Sequence, residues 1–136
     1  RRTHARSLEG ALRCPGQKLR DRRTLTLYDN LVFTAQGLPP FVPILLFQGT
    51  TTSSGFAYGD GLLCTGGSII RFGVKFSSAA GSAAWPSGAD LQISAFGGVP
   101  LAGGIREYQA YFRDAINFCT SATFNLTQGV EVLWLP

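Results

Sequence analysis

The sequence predicts an all-β protein, a single antiparallel β-sandwich or jelly-roll-like domain with an N-terminal basic arm. Short apolar or alternating runs are separated by turn residues at intervals of roughly ten positions, as in sandwiches. Seventeen glycines and seven prolines stand against 15% charged residues and no methionine, a balance that suits turn-rich β-structure. No segment carries a long helical stripe. At 136 residues the chain most simply forms one domain, large enough to bury roughly two-thirds of the surface of its unfolded form.

Charge divides the chain into an arm, residues 1–23, and a domain, residues 24–136. The arm holds Arg1, Arg2, Arg6, Arg13, Lys18, Arg20, Arg22 and Arg23 against Glu9 and Asp21; the domain holds four basic residues against six acids. The net charge of +4 is therefore a property of the arm. Clustered cations attract any polyanion, so the arm is a candidate contact for an acidic polymer or a neighbouring subunit, nucleic acid being the less favoured partner. A solvated tail or linker is the plainer reading. No apolar window is long enough for a membrane span, and no apolar signal region follows the basic residues, so if the protein is exported its signal is expected to have been removed already or to lie outside this sequence.

Taken in order, residues 1–13 predict a short helix through Ala5, Leu8, Ala11 and Leu12, stopped by Pro15-Gly16. Thr24–Tyr28 alternates as a first strand, Asp29-Asn30 turns, and Leu31–Gln36 is a second strand. Phe41–Phe47, FVPILLF, is apolar on both faces and needs cover on both, one from an opposite sheet and one from a loop, the arm or another subunit. Gln48–Gly61 is expected as a polar loop presenting Phe56 and Tyr58, and Leu62–Cys64 as a short apolar piece before a Thr65-Gly66-Gly67 turn. Ser68–Ser77 alternates, placing Ile70, Phe72, Val74 and Phe76 inward and Arg71, Gly73 and Lys75 outward. Trp85 sits in a small-residue loop, either as a plug at the end of the sandwich or as a ligand platform. Asp90–Phe96 reads as another strand, with Leu91, Ile93 and Ala95 inward.

Gly104–Cys119 organises the second half. As a helix it offers Ile105, Tyr108, Phe112, Ala115 and Cys119; as a strand it sends Tyr108, Ala110 and Phe112 inward and Gln109, Tyr111 and Arg113 outward. Its aromatic content and its strand-like neighbours favour the strand. Phe124–Leu126 pairs weakly, and Gly129–Leu135 closes the domain with Val130, Val132 and Trp134 on one face.

Catalytic patterns are missing. The only histidine, His4, lies in the arm, which leaves the domain no base for a Ser-His or Cys-His pair, and no enzymatic activity is expected. Asp60, Asp90, Glu107, Asp114 and Glu131 have no spacing that commits two of them to one site. Phosphate-loop, dinucleotide, calcium and zinc patterns are absent, so no cofactor and no metal is expected. Cys64 and Cys119 border strands and are the expected disulfide, with Cys14 free or bonded to another chain; three reduced thiols are the alternative. Asn125-Leu126-Thr127 is a formal glycosylation sequon.

Residues 31–136 resemble a family of secreted bacterial β-rich domains closed by a "YQ.W/YYRD" strand, a cysteine and an "FN.T.G" segment. The likeness lies in Tyr58-Gly-Asp-Gly, Leu63-Cys64, Gly66-Gly67 and Arg71, then Tyr108-Gln109-Ala-Tyr111-Phe112-Arg113-Asp114, Phe118-Cys119, Phe124-Asn125-Leu126-Thr127 and Trp134. It implies export, a β-rich fold and placement outside the cell or on its surface, and carries over no active-site residue. The arginine-rich arm departs from the family, whose corresponding region tends to be polar and glycine-rich. Two functions are expected on this basis. The first is an extracellular structural or assembly protein, a fibre or surface-layer subunit that meets its neighbours through the arm or an edge strand, forming a homo-oligomer or polymer. The alternative is a carbohydrate-binding module that stacks a polysaccharide on Phe56, Tyr58, Trp85 or Tyr111.

Overall fold

The structure, a computed structural model, describes residues 4–9, 24–25, 29–114 and 123–136, with only the backbone of 4–9, 24–25, Ser54 and Phe56. It is an all-β fold of antiparallel sheets packed on one another, with one short helix. The central sheet runs in the order β2 (Thr24–Leu25), β11 (Val130–Leu135), β9 (Gly104–Arg113), β4 (Pro43–Gly49) and β7 (Ile70–Phe76), and β10 (Phe124–Leu126) also pairs with β9. A second sheet holds β1 (His4–Glu9), β3 (Leu31–Gln36) and β8 (Ala83–Trp85). A separate hairpin joins β5 (Thr51–Tyr58) to β6 (Gly61–Gly66).

The core lies between the central sheet and the β1-β3-β8 sheet. Leu31, Phe33 and Ala35 alternate inward from β3 and meet Ile44 and Leu46 of β4, Tyr108, Ala110 and Phe112 of β9, and Val130, Val132 and Trp134 of β11. Period-two alternation puts each set on one face. Phe33 lies 4.6 Å and Phe72 6.3 Å, between ring centroids, from Tyr108. The strand reading of Gly104–Arg113 is borne out, with Tyr108, Ala110 and Phe112 on the core side.

A polar chain threads this core. Trp134 Nε1 donates to Tyr108 Oη (3.0 Å), Tyr108 Oη donates to Gln48 Oε1 (2.8 Å), and Gln48 Nε2 donates to the Gly97 carbonyl (2.9 Å). All three side chains are buried, and each polar atom has a partner, which offsets the cost of desolvating it. Burial pushes the Tyr108 hydroxyl far above its usual range and keeps it neutral.

Four expectations need correction. Residues 1–13 are not helical over the described part: His4–Glu9 forms β1, parallel to β3 with His4 opposite Leu31. Gln48–Gly61 is not a loop, since threonine-rich Thr51–Tyr58 is a strand antiparallel to Gly61–Gly66. The turn between them is Gly59-Asp60, where Gly59 has φ +61° and a Cβ would fall within 2.5 Å of the Phe124 ring. Asp90–Phe96 is not a strand. The buried Asp29 carboxylate accepts from the Ser94 amide (2.7 Å) and the Leu31 amide (2.9 Å), which favours the single turn α1 (Ile93–Phe96) and leaves Leu91 63% exposed.

The fourth correction concerns Ser68–Ser77. The strand exists, but its alternation reverses at Gly73, which has φ +88° in a bulge where the β4–β7 register shifts. Before the bulge Phe72 faces the core; after it Lys75, opposite core-facing Ile44, takes the inner side and Val74 and Phe76 turn outward. Lys75 Nζ then bonds the Ala84 carbonyl (2.7 Å), Ser87 Oγ (2.5 Å) and the Asp90 carboxylate, and lies 5.6 Å from the centroid of Trp85.

Lys75 and the Ser87 amide hold the Asp90 carboxyl below its ordinary value of 3.8. A carboxyl lowered in the folded state contributes stability above its unfolded value, and that contribution is lost as pH falls through the folded value. Urea midpoints measured across acid pH are expected to fall more steeply below pH 3.8 in the wild type than in Asp90→Asn, while superimposable acid limbs would refute the role given to this pair.

Candidate functional site

The central sheet has a second face, and the β5–β6 hairpin covers one end of it. Gln109 projects to this face from β9 and is fully buried. Its Oε1 accepts from the Cys64 amide (3.0 Å), and its Nε2 donates to the carbonyls of Leu62 (2.7 Å) and Thr127 (2.7 Å). One amide side chain thus joins β6, β9 and the end of β10. Thr52 Oγ1 adds a second tie by donating to buried Glu107 Oε1 (2.5 Å). At the hairpin tip, the Asp60 amide donates to the Phe124 carbonyl (3.1 Å). The hairpin thus lies against the Gly49 end of β4, while Leu45 and Phe47 of the FVPILLF run face a hollow on this side.

The other end of this face stays open. Leu45 and Phe47 of β4 form the floor, Arg71 stands opposite Phe47 on β7, and Tyr111 stands opposite Leu45 on β9. Tyr58, from the hairpin tip, makes the far wall of a groove of about 310 Å³. Phe124 lies between the tyrosines, its ring centroid 5.2 Å from that of Tyr58 and 5.1 Å from that of Tyr111, within the range of favourable aromatic pairs. Tyr58 is 46% exposed and Tyr111 38% exposed, so each ring rests one side on protein and offers the other to solvent. Leu45 and Tyr111 also line an adjoining cavity of about 160 Å³ that reaches Arg113, Val74 and Phe124. The two hollows adjoin across Leu45 and Tyr111 and together make a track along this face.

The chemistry of the track is apolar stacking with cationic ends. Among the described residues, no hydrogen bond or ion pair engages the guanidinium of Arg71 or of Arg113. No group of three or more His, Cys, Asp or Glu among the described residues could hold a metal ion. No described helix is long and apolar enough to cross a membrane.

Of the four residues expected to stack a ligand, the structure brings Tyr58 and Tyr111 together, and only the backbone of Phe56 is described. Of the two readings of Trp85 the plug holds and the ligand platform does not: at 2% exposure it is sealed by β3 and by Lys75, because the bulge at Gly73 carries Lys75 over it. Cys64 is buried in β6, and Cys119, its expected partner, lies outside the described residues, as do Cys14, Arg1, Arg2, Arg13, Lys18, Arg20, Arg22 and Arg23. Arg6 contributes its backbone to β1, opposite Phe33. In the sequon Thr127 is fully buried; its hydroxyl accepts from the Ala110 amide (2.9 Å) and donates to the Gln128 carbonyl (3.0 Å).

Sequence reasoning missed Arg71 and Phe124 as members of this site. Alternation marked Arg71, Tyr111 and Arg113 as outward, but nothing local shows that β7 and β9 flank the same strand.

Comparison with protein-family models, curated proteins and solved structures returns no match, so the reading of the groove rests on its own geometry.

Replacing Gln109 with Leu is expected to leave the Cys64 amide and the Leu62 and Thr127 carbonyls without their partner, at a cost of about 2–4 kcal/mol. Urea denaturation checks this; a loss below about 0.5 kcal/mol would show that the hairpin is held by something else.

Proposed function

We propose that this chain is a non-enzymatic extracellular binding module that holds a carbohydrate in the outer-face groove. The observation that carries the reading is the convergence of Tyr58 and Tyr111, 53 positions apart in sequence, on one open hollow with their rings half exposed. Half-exposed tyrosines present an apolar face and a polar tip, which suits the mixed surface of a sugar ring. The volume falls within the range of ligand clefts. Placement outside the cell is supported by the resemblance of residues 31–136 to secreted bacterial domains.

A self-assembling structural protein is the second reading, and one observation favours it. β7 is an edge strand of the central sheet, and its outward residues Val74 and Phe76 are 62% and 68% exposed. An edge with exposed apolar side chains is a template for pairing with another copy. The described part of the arm, His4–Glu9, by contrast, pairs with β3 of its own chain.

Glycan arrays followed by calorimetry are expected to find an oligosaccharide that binds the wild type and binds Tyr111→Ala about tenfold more weakly, roughly 1.4 kcal/mol. Light scattering on the same samples should give a monomer mass. A concentration-dependent multimer with no glycan bound would instead support the assembly reading.

We further infer that Cys64 and Cys119 form a disulfide, as suits an exported domain. Peptide mapping under non-reducing conditions should recover one linked peptide containing both, whereas alkylation of both without reductant would exclude the bond.

A further inference from the structure

Resting on the carbohydrate reading, we infer that the ligand is an acidic polysaccharide whose carboxylates are taken by Arg71 and Arg113 while its sugar rings pass over Tyr111. Three observations support it. The two hollows share Leu45 and Tyr111, so they lie side by side on this face. Each hollow carries one arginine, Arg71 in the first and Arg113 in the second, and neither guanidinium has a protein partner among the described residues. Neither hollow is lined by a carboxylate that would repel an anionic chain.

The spacing matters to the class of ligand. β7 and β9 are separated by β4, and the registers place Arg71 opposite Phe47 and Arg113 at the other end of the same strand. Two strand spacings and four residues of rise put their backbones about 15 Å apart. A polymer with repeated charges can present a carboxylate to each of the two cations. Arginine is suited to the task because its planar fork takes a carboxylate through two parallel hydrogen bonds and stays charged at every physiological pH. The remainder of the domain does not share this sign, since apart from Arg71 and Arg113 residues 24–136 carry two basic residues against six acids. The attraction is therefore local to the track.

The test compares oligogalacturonate with its methyl ester, which keeps the ring and removes the charge, on the wild type and on Arg71→Gln, Arg113→Gln and Tyr111→Ala. The acid is expected to bind at least tenfold more tightly than the ester at low salt. Each arginine variant should lose most of that advantage, and raising salt should do the same, because exposed charge pairs are screened. Tyr111→Ala should weaken acid and ester alike. All three side chains are exposed, and unchanged urea midpoints would confirm that the variants fold. Equal binding of acid and ester, unaffected by the arginine changes, would overturn the inference while leaving the carbohydrate reading intact. Failure of both sugars to bind would overturn the inference, and the glycan array then decides the carbohydrate reading by itself. Binding of a poly-glutamate peptide with the same arginine dependence and no need for Tyr111 would also overturn it, in favour of an acidic protein partner.

Discussion

The buried amide of Gln109 is the interaction on which the outer face depends. It sits on a strand face where a polar side chain would ordinarily meet water, yet it is enclosed, and three bonds to β6 and to the end of β10 satisfy it. A buried amide without partners costs several kcal/mol, so the hairpin and Gln109 hold each other in place. Where the hairpin ends, the groove begins, and the hairpin tip delivers Tyr58 to its rim. The floor of the groove and its wall thus follow from one docking event.

A second constraint decides what the groove contains. The bulge at Gly73 reverses the side-chain phase of β7, sending Lys75 to the Trp85 end of the core and Val74 to the open face. With unbroken alternation Lys75 would have stood beside the groove. Arg71, which precedes the bulge, keeps its outward position opposite Phe47. Charge on the ligand side is therefore set by a single backbone irregularity.

Much of the fold was legible in the sequence because alternation reports burial on one face directly. Leu31–Gln36, the 108/110/112 set and the 130/132/134 set all point where period two sends them. Three things were not legible. The hairpin read as a loop, because its serines, threonines and glycines carry no apolar alternation and its strands gain their stability by docking on Gln109. The segment around Ile93 read as a strand, because the Asp29 carboxylate that bonds the Ser94 amide lies 65 positions away. The reversal at Gly73 was invisible, because a glycine in a strand signals a bulge only once its partner strand is known. The site was half legible for the same reason: Tyr58 and Tyr111 stood out as exposed aromatics, whereas Phe124 and Arg71 join them only through the order of strands.

Residues 108–113 and Thr127 acquire physical roles in this light. Tyr108 is the middle of the core's polar chain, Gln109 clamps the hairpin, and Thr127 closes the β9–β10 junction. Tyr111 and Arg113, in the same strand, are exposed on the outer face and line the smaller hollow. The account stands most directly on whether the hairpin is docked through Gln109 in solution, which amide hydrogen exchange at Cys64 reports. Protection of the Cys64 amide comparable to that of the Ala110 amide, in the strand beneath it, is the result expected; exchange at the rate of an open loop would contradict the docked hairpin and the groove built upon it.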